Sequence, residues 1–269
     1  MDAFEALVLG IVQGLTEWLP VSSSGHLVIA QEILRLRSSE YLVFDLVVHL
    51  GTILAVSIFF RKELANILKA VLTPKEKRDD RAESLRKLGL LLIVAVIPVG
   101  LVGLLLKATI GSLFSVGTVG TALIVNGILL VIFERFGSEG GRSEITLSDA
   151  VGIGLFQAAS IVPGISRSGS TLGGGMIVGL ERETAATFAF LLSVPTLAAA
   201  FVYGVVTLDH FQLDFVNAAI GFAAAFLTGL ASIEIFLRSI RSKKLWVFAI
   251  YCFVLGALTL VFVHFAYGT

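Results

Sequence analysis

Charge is scarce in this chain. Of its 269 residues 15% are charged against 56% hydrophobic, and the mean hydropathy is +0.94. A soluble domain carries about 25% charged residues, so that class is excluded and an integral membrane protein remains. Cysteine is almost absent as well. The lone Cys252 rules out a disulfide framework and a thiolate metal site, and its apolar surroundings mark it as lipid-facing or as a packing residue. The N-terminal stretch MDAFEALVLG lacks the basic region of a cleavable signal, so the first hydrophobic segment is expected to be retained. Neither sign of charge is in excess, with 20 Lys and Arg against 20 Asp and Glu, and no nucleic-acid partner is expected.

What is abundant is long apolar sequence. A spanning helix needs about 20 apolar residues, and six segments qualify: about 41–60, 88–106, 118–136, 185–207, 216–237 and 245–266. Two further stretches, about 3–19 and 148–162, run at once into Pro, Gly and Ser and then into another short apolar piece, 27–34 and 172–180. Each piece is too short to cross, so each pair reads as a re-entrant helical hairpin, tolerated only where its broken backbone is buried in protein or faces water. Residues 61–87 carry nine Lys and Arg, and 238–244 carry Arg238, Arg241, Lys243 and Lys244, whereas 208–215 carries none. The positive-inside rule then puts those two basic loops in the cytoplasm. It puts the N-terminus and the first hairpin on the outer side, and the second hairpin, flanked by Arg135, Arg142 and Arg182, on the inner side.

The two hairpins resemble one another. A shift of 144 residues lays Gln13 on Gln157, Thr16 on Ser160, VSSSG (21–25) on ISRSG (165–169), Phe44 on Phe188, Thr52 on Thr196 and Ala55 on Ala199 without a gap. The expected fold is therefore an all-α integral membrane protein of one domain, 1–269. It has six transmembrane helices plus two re-entrant helical hairpins in an inverted-topology repeat (about 1–136 and 148–269). Such repeats bring their helix breaks together near the membrane interior, which sets PVSSSGH (20–26) opposite PGISRSGST (163–171).

Arg167 is the most telling residue, because a guanidinium at membrane depth costs at least ~2.5 kcal/mol unless it faces a polar cavity or a partner. Its two donor edges suit phosphate; the plainer alternative is an ion pair with Glu17 across the repeat interface. Ser22, Ser23, Ser24 and Gly25 precede one helical run, and Ser166, Ser168 and Gly169 precede the other. Two such helix starts converging would present amide groups to an anion. His26 follows Ser23 by three residues, on the same helix face, with Glu17 upstream, an arrangement that can activate a serine hydroxyl. Asp45 and His49 read as a hydrogen-bonded i, i+4 pair lining the repeat interface, and Glu181 and Glu183 as the polar end of the second hairpin. The charged stretch 73–87 reads as a solvated or interfacial segment without chemistry. Gly173-Gly174-Gly175 permits close backbone approach, for helix packing or for a lipid chain.

QGLTEWLPVSSSGH (13–26) and PGISRSGST (163–171) closely resemble the two signature motifs of the bacitracin-resistance family of undecaprenyl-diphosphate phosphatases, and the likeness in length, span count and motif spacing covers essentially the whole chain. The resemblance implies a phosphatase of the bacterial inner membrane, opening to the periplasmic side. It would convert undecaprenyl diphosphate to the monophosphate carrier used in peptidoglycan synthesis. It implies Glu17, Ser23, His26 and Arg167 as catalytic residues. Gln13, Ser22, Ser24, Gly25, Ser166, Ser168, Gly169 and Thr171 are expected to bind the substrate. It also implies dependence on a divalent cation, Mg2+ or Ca2+. The glutamine at position 13 leaves one carboxylate at that spot, so the ion is expected to ride mainly on the diphosphate. The mechanism expected has Ser23 as nucleophile and His26, oriented by Glu17, taking its proton, while the prenyl tail lies beside the glycine-rich helix. Direct attack by His26, and water activated by His26, stay open. The rival class is a transporter or flippase for a polyprenyl phosphate or other anionic lipid, because broken helices in inverted repeats are also a transporter architecture.

Overall fold

The computed structural model describes residues 1–36, 42–137, 140–207, 213–241 and 245–268. The architecture is all-helical: among the described residues the only β contact is an isolated bridge between Arg142 and Leu180. Among the described residues six helices are long and apolar enough to cross a membrane: α3 (Leu42–Phe59), α5 (Asp80–Leu105), α7 (Val116–Phe136), α10 (Arg182–Thr207), α11 (Phe215–Arg241) and α12 (Leu245–Tyr267). All six expected spans are present. The main departure is α5, which begins eight residues before the apolar run, because Asp79 caps Ala82 N at 2.7 Å and carries the helix into the charged segment. The stretch 61–87 is thus not a loop throughout. Its first part is the amphipathic helix α4 (Arg61–Leu72), which buries Ile67 and Ala70 and packs on α5.

The remaining long pieces are short helices around the two breaks. Helices α1 (Ala3–Trp18) and α2 (Ser23–Ile33) have 16 and 11 residues, and α8 (Leu147–Ala158) and α9 (Arg167–Ile177) have 12 and 11. At 1.5 Å per residue the longest is about 24 Å, short of the ~30 Å hydrocarbon layer. A seven-residue helix, α6 (Lys107–Leu113), links α5 to α7.

The 144-residue correspondence holds at the level of single hydrogen bonds. Asp2 and Thr146, one shift apart, each close a capping box, with Glu5 and Asp149 respectively. Ser22 and Ser166 each cap the next helix by accepting the amide of Gly25 and Gly169, at 3.4 and 3.1 Å. Gln13 lies 3.5 Å from Thr52 Oγ1, and Gln157 accepts from Thr196 Oγ1 at 3.3 Å. Part of the packing is exchanged between the halves: α1 lies on α11 while α8 lies on α5, and α9 reaches α7 as well as α10 of its own half, whereas α2 leans on α7 of its own half. Helices α1 and α8 are therefore covered by the other half's spans, while α2 and α9 also lie against spans of their own half, and the site sits where these short helices meet.

Candidate active site

The two breaks meet. Gly164 N donates to Ser22 Oγ at 3.0 Å, and Ser168 Oγ donates to Leu19 O at 2.9 Å. A Cβ on Gly25 would come 3.1 Å from Gly164 Cα, so backbone touches backbone at the crossing. Ser22 holds φ +69°, a left-handed conformation uncommon for serine. Its hydroxyl takes both the Gly25 and Gly164 amides, which helps to hold that strained turn. Asn126, in the middle of apolar α7, ties both breaks at once: its Nδ2 donates to Pro20 O at 2.9 Å and its Oδ1 accepts Ser166 N at 2.9 Å.

Around this crossing Glu17 collects four partners. Its Oε1 accepts from Arg167 Nη2; its Oε2 accepts from Ser23 Oγ at 2.5 Å and from Gln13 Nε2 at 2.8 Å, with His49 Nε2 at 3.8 Å. The carboxylate is 3% exposed and the arginine 15%, so the pair lies almost out of solvent. Such a pair is costly to break by removing one member, because the other is left charged and buried. The Arg167 guanidinium also lies over the Trp18 ring, 6.0 Å from its centroid. A pocket beside it, lined by Trp18, Arg167, Ser168, Phe190 and Ser193, holds about 10 Å³, no more than one water needs. That small space lies against the ion pair, whereas Ser23, Ser24 and His26 are partly exposed. A cavity of about 550 Å³ bordered by Lys87, Glu144, Glu181 and Thr184 contains none of the motif residues.

His26 is held by groups other than Glu17. Its Nδ1 donates to Ser22 O at 2.7 Å and its Nε2 meets Tyr251 Oη at 2.7 Å. Glu17, expected to orient His26, instead accepts a hydrogen bond from Ser23 Oγ. Asp45 and His49 are hydrogen-bonded as expected, through the Asp45 backbone carbonyl, while the Asp45 carboxylate accepts from Gln31 and the second nitrogen of His49 faces Glu17. The glycine triplet serves packing. A Cβ on Gly173, Gly174 or Gly175 would meet Phe133, Phe156 or Ala185 within 2.8 Å, which leaves no room there for a lipid tail. The Thr171 hydroxyl is taken by Arg167 O, and Ser24 Oγ lies 3.4 Å from Ser22 Oγ. Cys252 is fully buried and accepts from Asn126, so it is a packing residue. Asn126, Thr52 and Tyr251 were not anticipated; an amide inside TALIVNGILLV was the available signal for the first.

The described residues bring no three His, Cys, Asp or Glu side chains together for a metal. Both oxygens of Glu17 already have donors, one of them a guanidinium, so the side chains present do not fit a resident divalent ion.

Residues 6–258 match the family described as "Bacitracin resistance protein BacA". The chain belongs to the BacA family. Among its BacA relatives, a protein named "Undecaprenyl-diphosphatase" from Desulfosudis oleivorans is 40% identical over 97% of this chain and 98% of its own. Proteins of the same name from Methanobrevibacter smithii and Carboxydothermus hydrogenoformans are each 39% identical, over 95% and 97% of this chain and 96% and 97% of theirs. The BacA match takes in both breaks and all four catalytic candidates.

Proposed function

We propose that this BacA-family chain is a membrane phosphatase that hydrolyses undecaprenyl diphosphate to undecaprenyl phosphate and phosphate. The observation that carries the reading is the 2.5 Å bond from Ser23 Oγ to Glu17 Oε2, with Arg167 from the second break on the other carboxylate oxygen. A serine hydroxyl on a carboxylate, beside a guanidinium at a helix start, is a nucleophile, a base and a charge acceptor in one place.

In the first step the arriving diphosphate draws Arg167 from Glu17 and frees the carboxylate to act. Ser23 Oγ bonds to the terminal phosphorus as its proton passes to Glu17, and the bond to the undecaprenyl phosphate oxygen breaks. That product leaves as an anion and needs no proton. Phosphoryl transfer gains chiefly from positioning and charge neutralisation, and Arg167 supplies the latter. In the second step water attacks the phosphoserine; Glu17 returns its proton to Ser23 Oγ, and His26 Nε2 takes the proton from water. Gln13 fixes Glu17, and the amides and hydroxyls of residues 22–25 and 166–169 cradle the phosphate. Any Mg2+ or Ca2+ comes with the diphosphate, and no step above depends on it.

The short lengths of α1, α2, α8 and α9 and the packing of α1 and α8 on spans of the opposite half support re-entrant hairpins in an inverted repeat. The distribution of Lys and Arg supports a cytoplasmic α4 and a site that opens outward, the periplasmic side of a bacterial inner membrane. The reading is tested by phosphate release from undecaprenyl diphosphate by the purified protein in detergent. Release by wild type, lost in Ser23→Ala and Arg167→Ala, is the expected result. Binding without release would favour the transporter.

A further inference from the structure

The imidazole of His26 is pinned at both nitrogens, and one pin comes from a helix that carries no motif. The Ser22 carbonyl can only accept, so Nδ1 carries the proton in the 2.7 Å bond to it. In the neutral ring Nε2 is then the lone-pair nitrogen, and the Tyr251 hydroxyl, 2.7 Å away, donates to it. The two ring planes lie within 3° of parallel, with centroids 5.6 Å apart, so both the direction and the plane of the imidazole are set. Tyr251 itself belongs to α12 and is 45% exposed. The same two helices meet again where Tyr267 Oη donates to Glu32.

We propose that Tyr251 is a positioning residue for the phosphatase reaction, holding His26 as the Nδ1–H tautomer with Nε2 turned toward α12 as the proton-accepting nitrogen. The proposal rests on the functional reading above. A phenol suits the role because its oxygen both donates and accepts. It donates to Nε2 of the resting neutral ring, gives up that lone pair when the attacking water donates to it, and, after its O–H bond has rotated, accepts from Nε2–H of the imidazolium, so one residue holds the ring before and after proton transfer. A phenylalanine would keep the parallel rings and lose both bonds.

The test compares full-length wild type, Tyr251→Phe and Val254→Ala, the last an exposed residue of the same helix, in detergent with undecaprenyl diphosphate. Histidine labelled with 15N, with the His26 signal assigned by loss in His26→Asn, reads the tautomer without turnover. Tyr251→Phe is expected to lower kcat by ~10-fold or more with KM little changed and to move the His26 Nε2 resonance toward that of an unbonded nitrogen; Val254→Ala is expected to match wild type. If wild type releases phosphate and Tyr251→Phe equals it in kcat, KM and 15N spectrum, the positioning role is overturned and the phosphatase reading stands. A rise in KM with unchanged kcat would also overturn it, by making Tyr251 a binding residue. No release by wild type would sink the functional reading and the catalytic role together.

Discussion

The amide of Gly164 donates to the hydroxyl of Ser22 across 3.0 Å, joining two chain breaks that lie 142 residues apart. Bonds of this kind hold the nucleophile candidate on one break and the guanidinium on the other against a single carboxylate. They also explain why backbone that has left its helix survives among apolar spans: its polar groups are met by protein.

Asn126 carries much of that burden. Replacing it by leucine removes partners from Pro20 O and Ser166 N, both within a buried crossing. At about 1–3 kcal/mol per unsatisfied group, Asn126→Leu is expected to lower thermal stability in detergent markedly and to reduce phosphate release. An unchanged melting temperature would show that the crossing does not depend on it.

Glu17 and Arg167 are expected to behave as a unit. Glu17→Gln removes the proton acceptor of Ser23 and leaves Arg167 without its counter-charge, so phosphate release is expected to fall by roughly 10²–10⁴-fold. The double variant Glu17→Gln with Arg167→Gln is expected to lose far less than the product of the two single losses. Multiplicative losses would mean that the two act independently.

The glycines of α9 separate packing from lipid contact. Gly173→Ala places a methyl about where Phe133 already stands, 2.0 Å from its ring, and is expected to destabilise by about 1–3 kcal/mol or more. Gly100, in α5, has no neighbour within 4 Å of an added Cβ, and Gly100→Ala is expected to be neutral or to stabilise by up to ~1 kcal/mol. Paired thermal melts distinguish the two, and equal effects would contradict the packing assignment.

Charge at the surface is expected to matter much less than charge at the breaks. Lys87 and Glu144 pair at 3.0 Å, but both are more than half exposed, and such pairs contribute about 0–1 kcal/mol. Glu144→Gln is expected to leave melting within a degree or two. Arg142, by contrast, forks onto the buried Asp149 at 2.6 and 2.7 Å, and Arg142→Gln is expected to cost clearly more. Reversal of that order would mean that the fork is not stabilising.

The six spans, the two interrupted segments and the 144-residue likeness could be read from the chain itself, because apolar length, Pro-Gly-Ser breaks and repeated residue types are properties of local sequence. So could the closeness of Glu17, Ser23 and Arg167, which follows once two copies of a broken helix must bury their breaks against each other. Partner choice could not be read that way. Which oxygen takes the Ser23 proton, which group holds each nitrogen of His26, that His49 faces Glu17, and that Gly173 is filled by Phe133 all depend on distances between helices far apart in sequence. Hydrogen bonds and steric contacts are decided within a few tenths of an ångström, and only the packing of α7, α11 and α12 against the short helices sets positions that finely.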